Sequence, residues 1–224
     1  MTSSIETRTV ERPSTTEAAF WVGLGGNAPS SSKVEQIGTE ADCRANGQPD
    51  YYAWYELWPA DGHDLNLDVL PGDLITARVV LGRSTVRVSI DDVTAGQSYT
   101  RTFRLSGPDG SSAEWIAEAP AATVRDEDQI VPLTDFGTIR FSGASATSLP
   151  GHDGPISDPA WHATAIDFLS DRGSPRDPIG SFVDRAAAAH GFPSGLLRRG
   201  TAFTITWQPG FSPEPRQGPQ PGAA

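Results

Sequence analysis

Two glutamates on one short strand-like run are the residues best suited to chemistry in this chain. Residues 113–118 read Ala-Glu-Trp-Ile-Ala-Glu, and strand alternation places Glu114 and Glu118 on one face with Ile116 between them. Glutamate is depleted in strands and is rarely buried without a partner. A strand that repeats a carboxylate beside apolar neighbours therefore indicates a functional role for Glu118.

A second group of polar and aromatic residues occupies two strand-like runs, 34–41 and 51–58. In the second run, alternation sets Glu56 between two tryptophans on one face, which is more typical of a substrate groove than of a solvated surface. If the two runs pair as a hairpin, their polar faces coincide, although loop length alone does not fix the register. Such a hairpin would bring together Gln36, Glu40, Trp54, Glu56 and Trp58.

The elements that must position these residues are short strands separated by turns rich in Gly and Pro. This pattern predicts an all-β protein, a sandwich of two antiparallel sheets, with one short helical insertion at 179–190. We predict a flexible lead-in at 1–17, the sandwich domain at 18–208 and a disordered Pro/Gly-rich tail at 209–224. The strands are expected at 19–24, 34–41, 51–58, 65–69, 74–81, 84–90, 99–105, 113–118, 138–142, 161–169 and 201–207.

Composition narrows the function classes. The chain has 28 acidic and 17 basic residues and a net charge of -11, which argues against nucleic acid as a partner. No apolar run reaches the length of a membrane span, and the N-terminus shows no signal peptide. Cys43 is the single cysteine, so no internal disulfide can form, and we interpret it as incidental. We expect a monomer.

The sequence gives little support for a metal site, a serine nucleophile or a glycosidase. The four histidines are scattered without zinc-ligand spacing, so we expect no metal and no cofactor. No Gly-x-Ser-x-Gly motif is present. A glycosidase using Glu56 and Glu118 is conceivable, because such enzymes need two carboxylates at a set separation, but Gln36 would then have no role. Pattern alone leaves an enzyme, a lectin-like binding module and a structural sandwich unresolved.

Several residue blocks resemble, in the same order along the chain, those of the glutamic peptidases, or eqolisins. They are Phe-Trp-Val-Gly-Leu at 20–24, Val-Glu-Gln-Ile-Gly-Thr-Glu at 34–40, Tyr-Ala-Trp-Tyr-Glu-Leu-Trp-Pro at 52–59, Pro-Gly-Asp at 71–73 and the run at 113–118. Members of that family usually carry a longer segment, with a further Trp-containing strand, before the first block. We therefore interpret the chain as a bacterial-type homologue with a shortened N-terminus.

The resemblance implies a lectin-like (concanavalin) sandwich with one sheet curved around the substrate. It implies an acid-acting endopeptidase in which Glu118 activates a water and Gln36 stabilises the tetrahedral intermediate. Its partners would be polypeptide substrates, and its location would be outside the cell. Glu40 and Glu56 would share a proton or hydrogen bond that orients Gln36. The residues matched to the substrate cleft are Trp21, Glu40, Trp54, Glu56 and Trp58.

Two alternatives stay open beside the peptidase. One is a non-catalytic β-sandwich that binds peptide or carbohydrate through a groove lined by Trp54 and Trp58. The other is an inactive truncated relative, whose missing strand would leave an exposed sheet edge and an incomplete cleft.

Overall fold

The computed structural model describes residues 14–27, 31–124, 127–148, 151–166, 168–169 and 189–210. Within these ranges the chain is built of antiparallel β-strands and one 3-10 turn at Arg198–Gly200, which confirms the predicted all-β class. Over the same ranges, no helix is long and apolar enough to cross a membrane. The expected helical insertion lies outside the described residues up to position 188, and His190 already begins a strand. Most of the expected tail, 211–224, also lies outside them.

The largest sheet carries all the candidate site residues. Its strands are β1 (Ser14–Thr16), β2 (Ala19–Gly25), β3 (Val34–Arg44), β4 (Pro49–Trp58), β5 (His63–Asp68) and β9 (Ala113–Glu118). Their spatial order is β5-β4-β3-β2-β9, and β1 pairs with the far end of β3. The predicted lead-in therefore does not extend over β1, because the backbone of these residues joins the sheet.

A three-stranded sheet covers one face of the large sheet. It comprises β6 (Ile75–Leu81), β7 (Thr85–Asp92) and β8 (Gln97–Arg104). Burying each aliphatic side chain between the sheets stabilises the fold by roughly 1.5–3 kcal/mol, so this core fixes which face of β3 and β4 points inward. The fully buried members of the core include Ile37, Ala53, Val86, Val88 and Ile90.

A four-stranded sheet covers the same face of the large sheet beside β2 and β9. Ala117 of β9 packs there against Phe203 and Ile205, so the opposite face of the large sheet is left to its polar and aromatic side chains. The strands are β12 (Thr138–Ser142), β15 (Phe168–Leu169), β16 (His190–Pro193) and β17 (Ala202–Gln208), in the order β12-β17-β16-β15. Two hairpins complete the fold: β10 (Ala121–Val124) with β11 (Glu127–Ile130), and β13 (Ser145–Ser148) with β14 (His152–Pro155).

The strand predicted at 161–169 is wrong over its first part. Residues 161–166 form no strand, and the strand that follows is only two residues long. The indole Nε1 of Trp161 donates to the carbonyl oxygens of Pro155 at 3.0 Å and Ile156 at 3.1 Å. Residues 162–166 are exposed. The alternating sequence of this segment therefore does not correspond to a paired strand. Its one fixed side chain among the described residues is Trp161, which is hydrogen-bonded to nearby carbonyl groups.

Candidate active site

The candidate side chains lie on the face of the large sheet that points away from the core. The register between β3 and β4 places Gln36 opposite Glu56 and Gly38 opposite Trp54, which confirms the predicted common face. β2 pairs with both β3 and β9, so Trp21 lies opposite Gly38 on one side and Ile116 on the other. Four neighbouring strands therefore contribute to one surface.

Trp21 forms the floor of this surface. It is 6% exposed, and two glycines make room for its indole. A Cβ on Gly38 would lie 2.6 Å from the Trp21 Cβ and 2.2 Å from the Phe20 carbonyl oxygen, and one on Gly23 would lie 2.8 Å from the Trp21 Cζ3. These distances are shorter than van der Waals contact, so both positions require the close approach that only glycine allows.

Glu118 is held by the same indole. The Nε1 of Trp21 donates to the Glu118 Oε1 at 2.9 Å. Burial raises the pKa of Glu118 from its ordinary 4.5 to about 7; the hydrogen bond from Trp21 opposes this rise, and the charges of Glu114 and Glu56 add to it. Desolvation is the main cause, since burial disfavours the charged form. A carboxyl group in this state can both accept and return a proton between acid and neutral pH.

Gln36 is held by Glu56. The amide Nε2 of Gln36 donates to the Oε2 of Glu56, and the acceptor carboxylate identifies that edge of the amide as its NH2 side. Burial raises the pKa of Glu56, and the hydrogen bond from Gln36 opposes the rise. The Gln36 Oε1 is buried without a hydrogen-bond partner among the described residues. One N–H of this amide therefore has no described hydrogen-bond partner, and the carbonyl oxygen, also without one, is shielded from solvent.

Gln36 and Glu118 lie diagonally across β2. Gln36 is opposite Gly23, and Glu118 is opposite Ala19, so the Trp21 position lies between the two rows. The charge of Glu56 contributes to the raised pKa of Glu118, which links the two halves of the surface electrostatically. The amide and the carboxyl group have separate partners, and both lie on the same face of the sheet.

Glu40 is not joined to Glu56. It lies opposite Tyr52 and Ala19, four residues along β3 from Gln36, and it is 5% exposed. Burial, followed by the charges of Asp42 and Glu17, raises the pKa of Glu40 well above its ordinary value. The expected proton sharing between Glu40 and Glu56 is therefore wrong, because the register gives Glu56 the amide as its partner.

The two further tryptophans differ in exposure. Trp58 lies opposite Val34 at the end of β4 and is 50% exposed. Trp54 is half-buried, and its Nε1 is buried without a hydrogen-bond partner in the described part of the chain. The surface thus offers the exposed indole of Trp58 as an apolar wall, whereas the Trp54 N–H is buried and has no described partner.

Two carboxylates near the site, Glu17 and Asp42, are not predicted from the sequence, and Glu114 is predicted without a role. Glu17 and Asp42 lie against Glu40, but position 17 was placed in the lead-in and position 42 in a loop. Asp42 alternates with Glu40 along β3, and this spacing was the available signal. Glu114 accepts a hydrogen bond from Ser112 Oγ at 3.0 Å, and its charge acts on Glu118.

Fold and site together define a β-sandwich with a carboxyl group and an amide held on one face of the large sheet. The chain matches the model of the peptidase A4 family over residues 2–173 and belongs to that family, which confirms the resemblance to the glutamic peptidases. It is 33% identical to aspergillopepsin-2 of Aspergillus niger over 160 residues, which is 69% of this chain and 52% of that protein. The chain thus spans about half the length of the curated relative it matches.

Solved structures show the same fold. The crystal structure of aspergilloglutamic peptidase from Aspergillus niger matches with a TM-score of 0.65 and 28% identity, over 86% of this chain and 99% of that chain. Scytalido-glutamic peptidase, solved with a peptide-based transition state analog, matches with a TM-score of 0.64 and 20% identity, over 91% of this chain and 88% of that chain. These similarities confirm the predicted antiparallel sandwich.

Proposed function

We propose that this protein is an acid-acting endopeptidase in which Glu118 is general base and then general acid, and Gln36 stabilises the oxyanion. The contact between Trp21 and Glu118 carries the proposal. It holds a buried carboxyl group with a pKa of about 7 on the face that also bears the pair of Gln36 and Glu56. Membership of the peptidase A4 family supports the same reaction class.

The reaction proceeds in two proton transfers. The Glu118 carboxylate takes a proton from a water molecule while the water oxygen bonds to the scissile carbonyl carbon, whose oxygen becomes an oxyanion. The free N–H of Gln36 donates to that oxyanion, an interaction whose removal typically costs roughly 10²–10³ in kcat. Glu118 then gives its proton to the amine nitrogen as the C–N bond breaks, which restores the carboxylate.

An acidic working range also suits the stability of the fold. The pKa values of Glu118 and Glu40 are raised in the folded state. A group of this kind contributes stability that is fully present below its unfolded pKa and is lost as pH rises through its folded pKa. The sandwich is therefore expected to be most stable in acid and to weaken towards neutral pH.

The test is digestion of a denatured protein substrate from pH ~2 to ~7 by wild type, Glu118→Gln and Gln36→Ala. Circular dichroism would check that each variant folds, and Asp68→Asn, at an exposed position of β5, serves as a matched control. We expect wild type and control to cleave the substrate on the acidic side of neutrality, with activity falling as Glu118 becomes fully protonated, and losses of about 10²–10⁴ in the two variants. Full activity of folded Glu118→Gln would refute the mechanism.

A non-catalytic binding sandwich is the second candidate function. The half-exposed Trp58 and the unpartnered indole N–H of Trp54 favour it. Folded wild type that binds peptide or oligosaccharide, loses this binding on Trp58→Ala and cleaves nothing at any pH would establish this function instead.

A further inference from the structure

The outer face of the three-stranded sheet carries a line of three arginines. Arg78, Arg87 and Arg104 belong to β6, β7 and β8 respectively, and all three are exposed. Arg78 is opposite Ser89 and Arg104 is opposite Thr85, so each lies two residues along, diagonally, from Arg87 on the middle strand. Diagonal neighbours of this kind are about 7–8 Å apart. The three arginines therefore follow one diagonal across the sheet.

Neighbouring carboxylates do not neutralise these arginines. None of the three forms an ion pair with a residue that the structure describes. Among the described strands, the one carboxylate on this face is that of Asp91, which accepts a hydrogen bond from the Thr76 hydroxyl at 3.2 Å. Three guanidinium groups thus lie with one carboxylate, in a chain whose net charge is -11. A local reversal of sign of this kind attracts an anionic partner.

Hydroxyl groups accompany the arginines on this face. An open depression there is lined by Arg78, Val80, Arg87, Ser89, Asp91 and Thr100. Guanidinium groups bind oxyanions through paired N–H donors, and each hydroxyl group adds one further donor. Two guanidinium groups beside two hydroxyl groups therefore suit an anionic group with three terminal oxygen atoms, such as a sulfate ester.

We propose that this face binds a sulfated polysaccharide. The line of arginines matches an extended chain with repeated anionic groups, and both arginine and a sulfate ester keep their charge in acid. A polypeptide rich in Asp and Glu fits less well, because its carboxylates become protonated near pH ~4. Nucleic acid also fits less well, because the described strands place no aromatic side chain on this face for a base to stack on.

A partner bound here would leave the candidate active site free. The inner face of the three-stranded sheet packs on the large sheet through Val86, Val88 and Ile90, so its outer face points away from Gln36 and Glu118. The two outer faces of the sandwich thus differ in charge, with glutamates on one and arginines on the other. Binding would hold the protein on a polyanionic material while the site face stays open.

The test is calorimetric titration of the full chain with dextran sulfate at pH ~5 and ~50 mM salt, where screening is weak. We expect the triple variant Arg78→Gln, Arg87→Gln, Arg104→Gln to bind about 10–100-fold more weakly. Its slope of log Kd against log salt should fall by roughly two to three. Arg140→Gln, at an exposed position of β12, is the matched control and should bind as wild type. Asp91→Asn should bind more tightly.

Three results would overturn the proposal. They are a folded wild type that does not bind dextran sulfate, a folded triple variant that binds as tightly as wild type, and tighter binding of single-stranded DNA or polyglutamate. Circular dichroism checks folding, and Arg87→Gln alone replaces a triple variant that does not fold, with an expected loss of about 5-fold. Peptide cleavage is not a readout, so failure here is distinguishable from failure of the proposed function.

Discussion

Gln36 and Glu56 face each other across β3 and β4, and the amide of one donates to the carboxylate of the other. This pairing decides which edge of the amide carries its NH2 group and leaves one N–H free for a ligand. Glu56 thus acts as a positioning residue for Gln36. Its negative charge also contributes to the raised pKa of Glu118, so it influences both halves of the site.

Replacing Glu56 should therefore impair Gln36 without removing it. We expect Glu56→Ala to lower kcat by about 10–100-fold with little change in KM, because a misplaced donor loses transition-state stabilisation. Steady-state kinetics would measure this on the folded variant. Combining Glu56→Ala with Gln36→Ala should add little to the loss caused by Gln36→Ala alone, whereas fully additive losses would show that the two residues act independently.

The pH profile should respond in opposite directions to two changes around Glu118. The charge of Glu114 raises the pKa of Glu118, and the hydrogen bond from Trp21 lowers it. We expect Glu114→Gln to lower that pKa, so that the carboxylate persists further into acid and the acidic limb of kcat/KM moves to lower pH. Trp21→Phe should move the same limb to higher pH. Shifts in one common direction would contradict this electrostatic account.

Gly38 should tolerate no side chain. A Cβ there would collide with the backbone of β2 and with Trp21, and overpacking of this kind typically costs about 1–3 kcal/mol. We expect Gly38→Ala to lower the free energy of unfolding by at least that amount, measured by denaturant unfolding. Gly195→Ala is the matched control, because nothing lies within 4 Å of its added Cβ. Equal stability of the two variants would refute the role assigned to Gly38.

Glu35 should make the fold sensitive to pH without touching the site face. It lies on the core side of β3 and is 1% exposed. Burial raises its pKa, and a contact with the backbone of Asp109 opposes this only in part. Because the folded pKa is raised, the stability from this group is present in acid and lost as pH rises through that pKa.

Glu35→Gln, which cannot ionise, should therefore unfold at a higher temperature than wild type near neutral pH and at a similar temperature in acid. Thermal unfolding at both pH values measures this difference. Asp91→Asn, at an exposed position of the three-stranded sheet, serves as the control. A variant that is destabilised equally at both pH values would show that Glu35 has a packing role instead.

The hairpin of β3 and β4 was the part of the site most accessible to sequence reasoning. Its strands alternate cleanly because one face packs on the core through Ile37 and Ala53, and a two-residue period then fixes the other face. The exact pairing was not accessible, because the turn-rich residues between the strands permit several registers. The sharing between Glu40 and Glu56 is an expectation from the family resemblance, and the register instead pairs Glu56 with Gln36.

Contacts between segments distant in sequence cannot be predicted from local sequence patterns. The sequence around Glu17 has no periodicity and predicts a lead-in. Only the bonds of its neighbour Ala18 to Ala41 of β3, and its own bonds to Pro132 and Thr134, reveal it as part of the folded domain. The segment of Trp161 shows the reverse: it has a strand-like pattern but forms no strand. The Trp161 side chain is anchored to nearby carbonyl groups, and propensity cannot distinguish an anchored loop from a paired strand.

The position of β2 between β3 and β9 also has a consequence for the order in which the molecule assembles. Ala19 pairs with Glu40 nearby in sequence and with Glu118 far along the chain. The hairpin with Gln36 and Glu56 closes over a short loop, whereas β9 can dock only after closure of a loop of about a hundred residues, which is slower. During synthesis from the N-terminus, the amide half of the groove can thus form before the strand that carries Glu118 has been made. The candidate site is complete only when the sheet itself is complete.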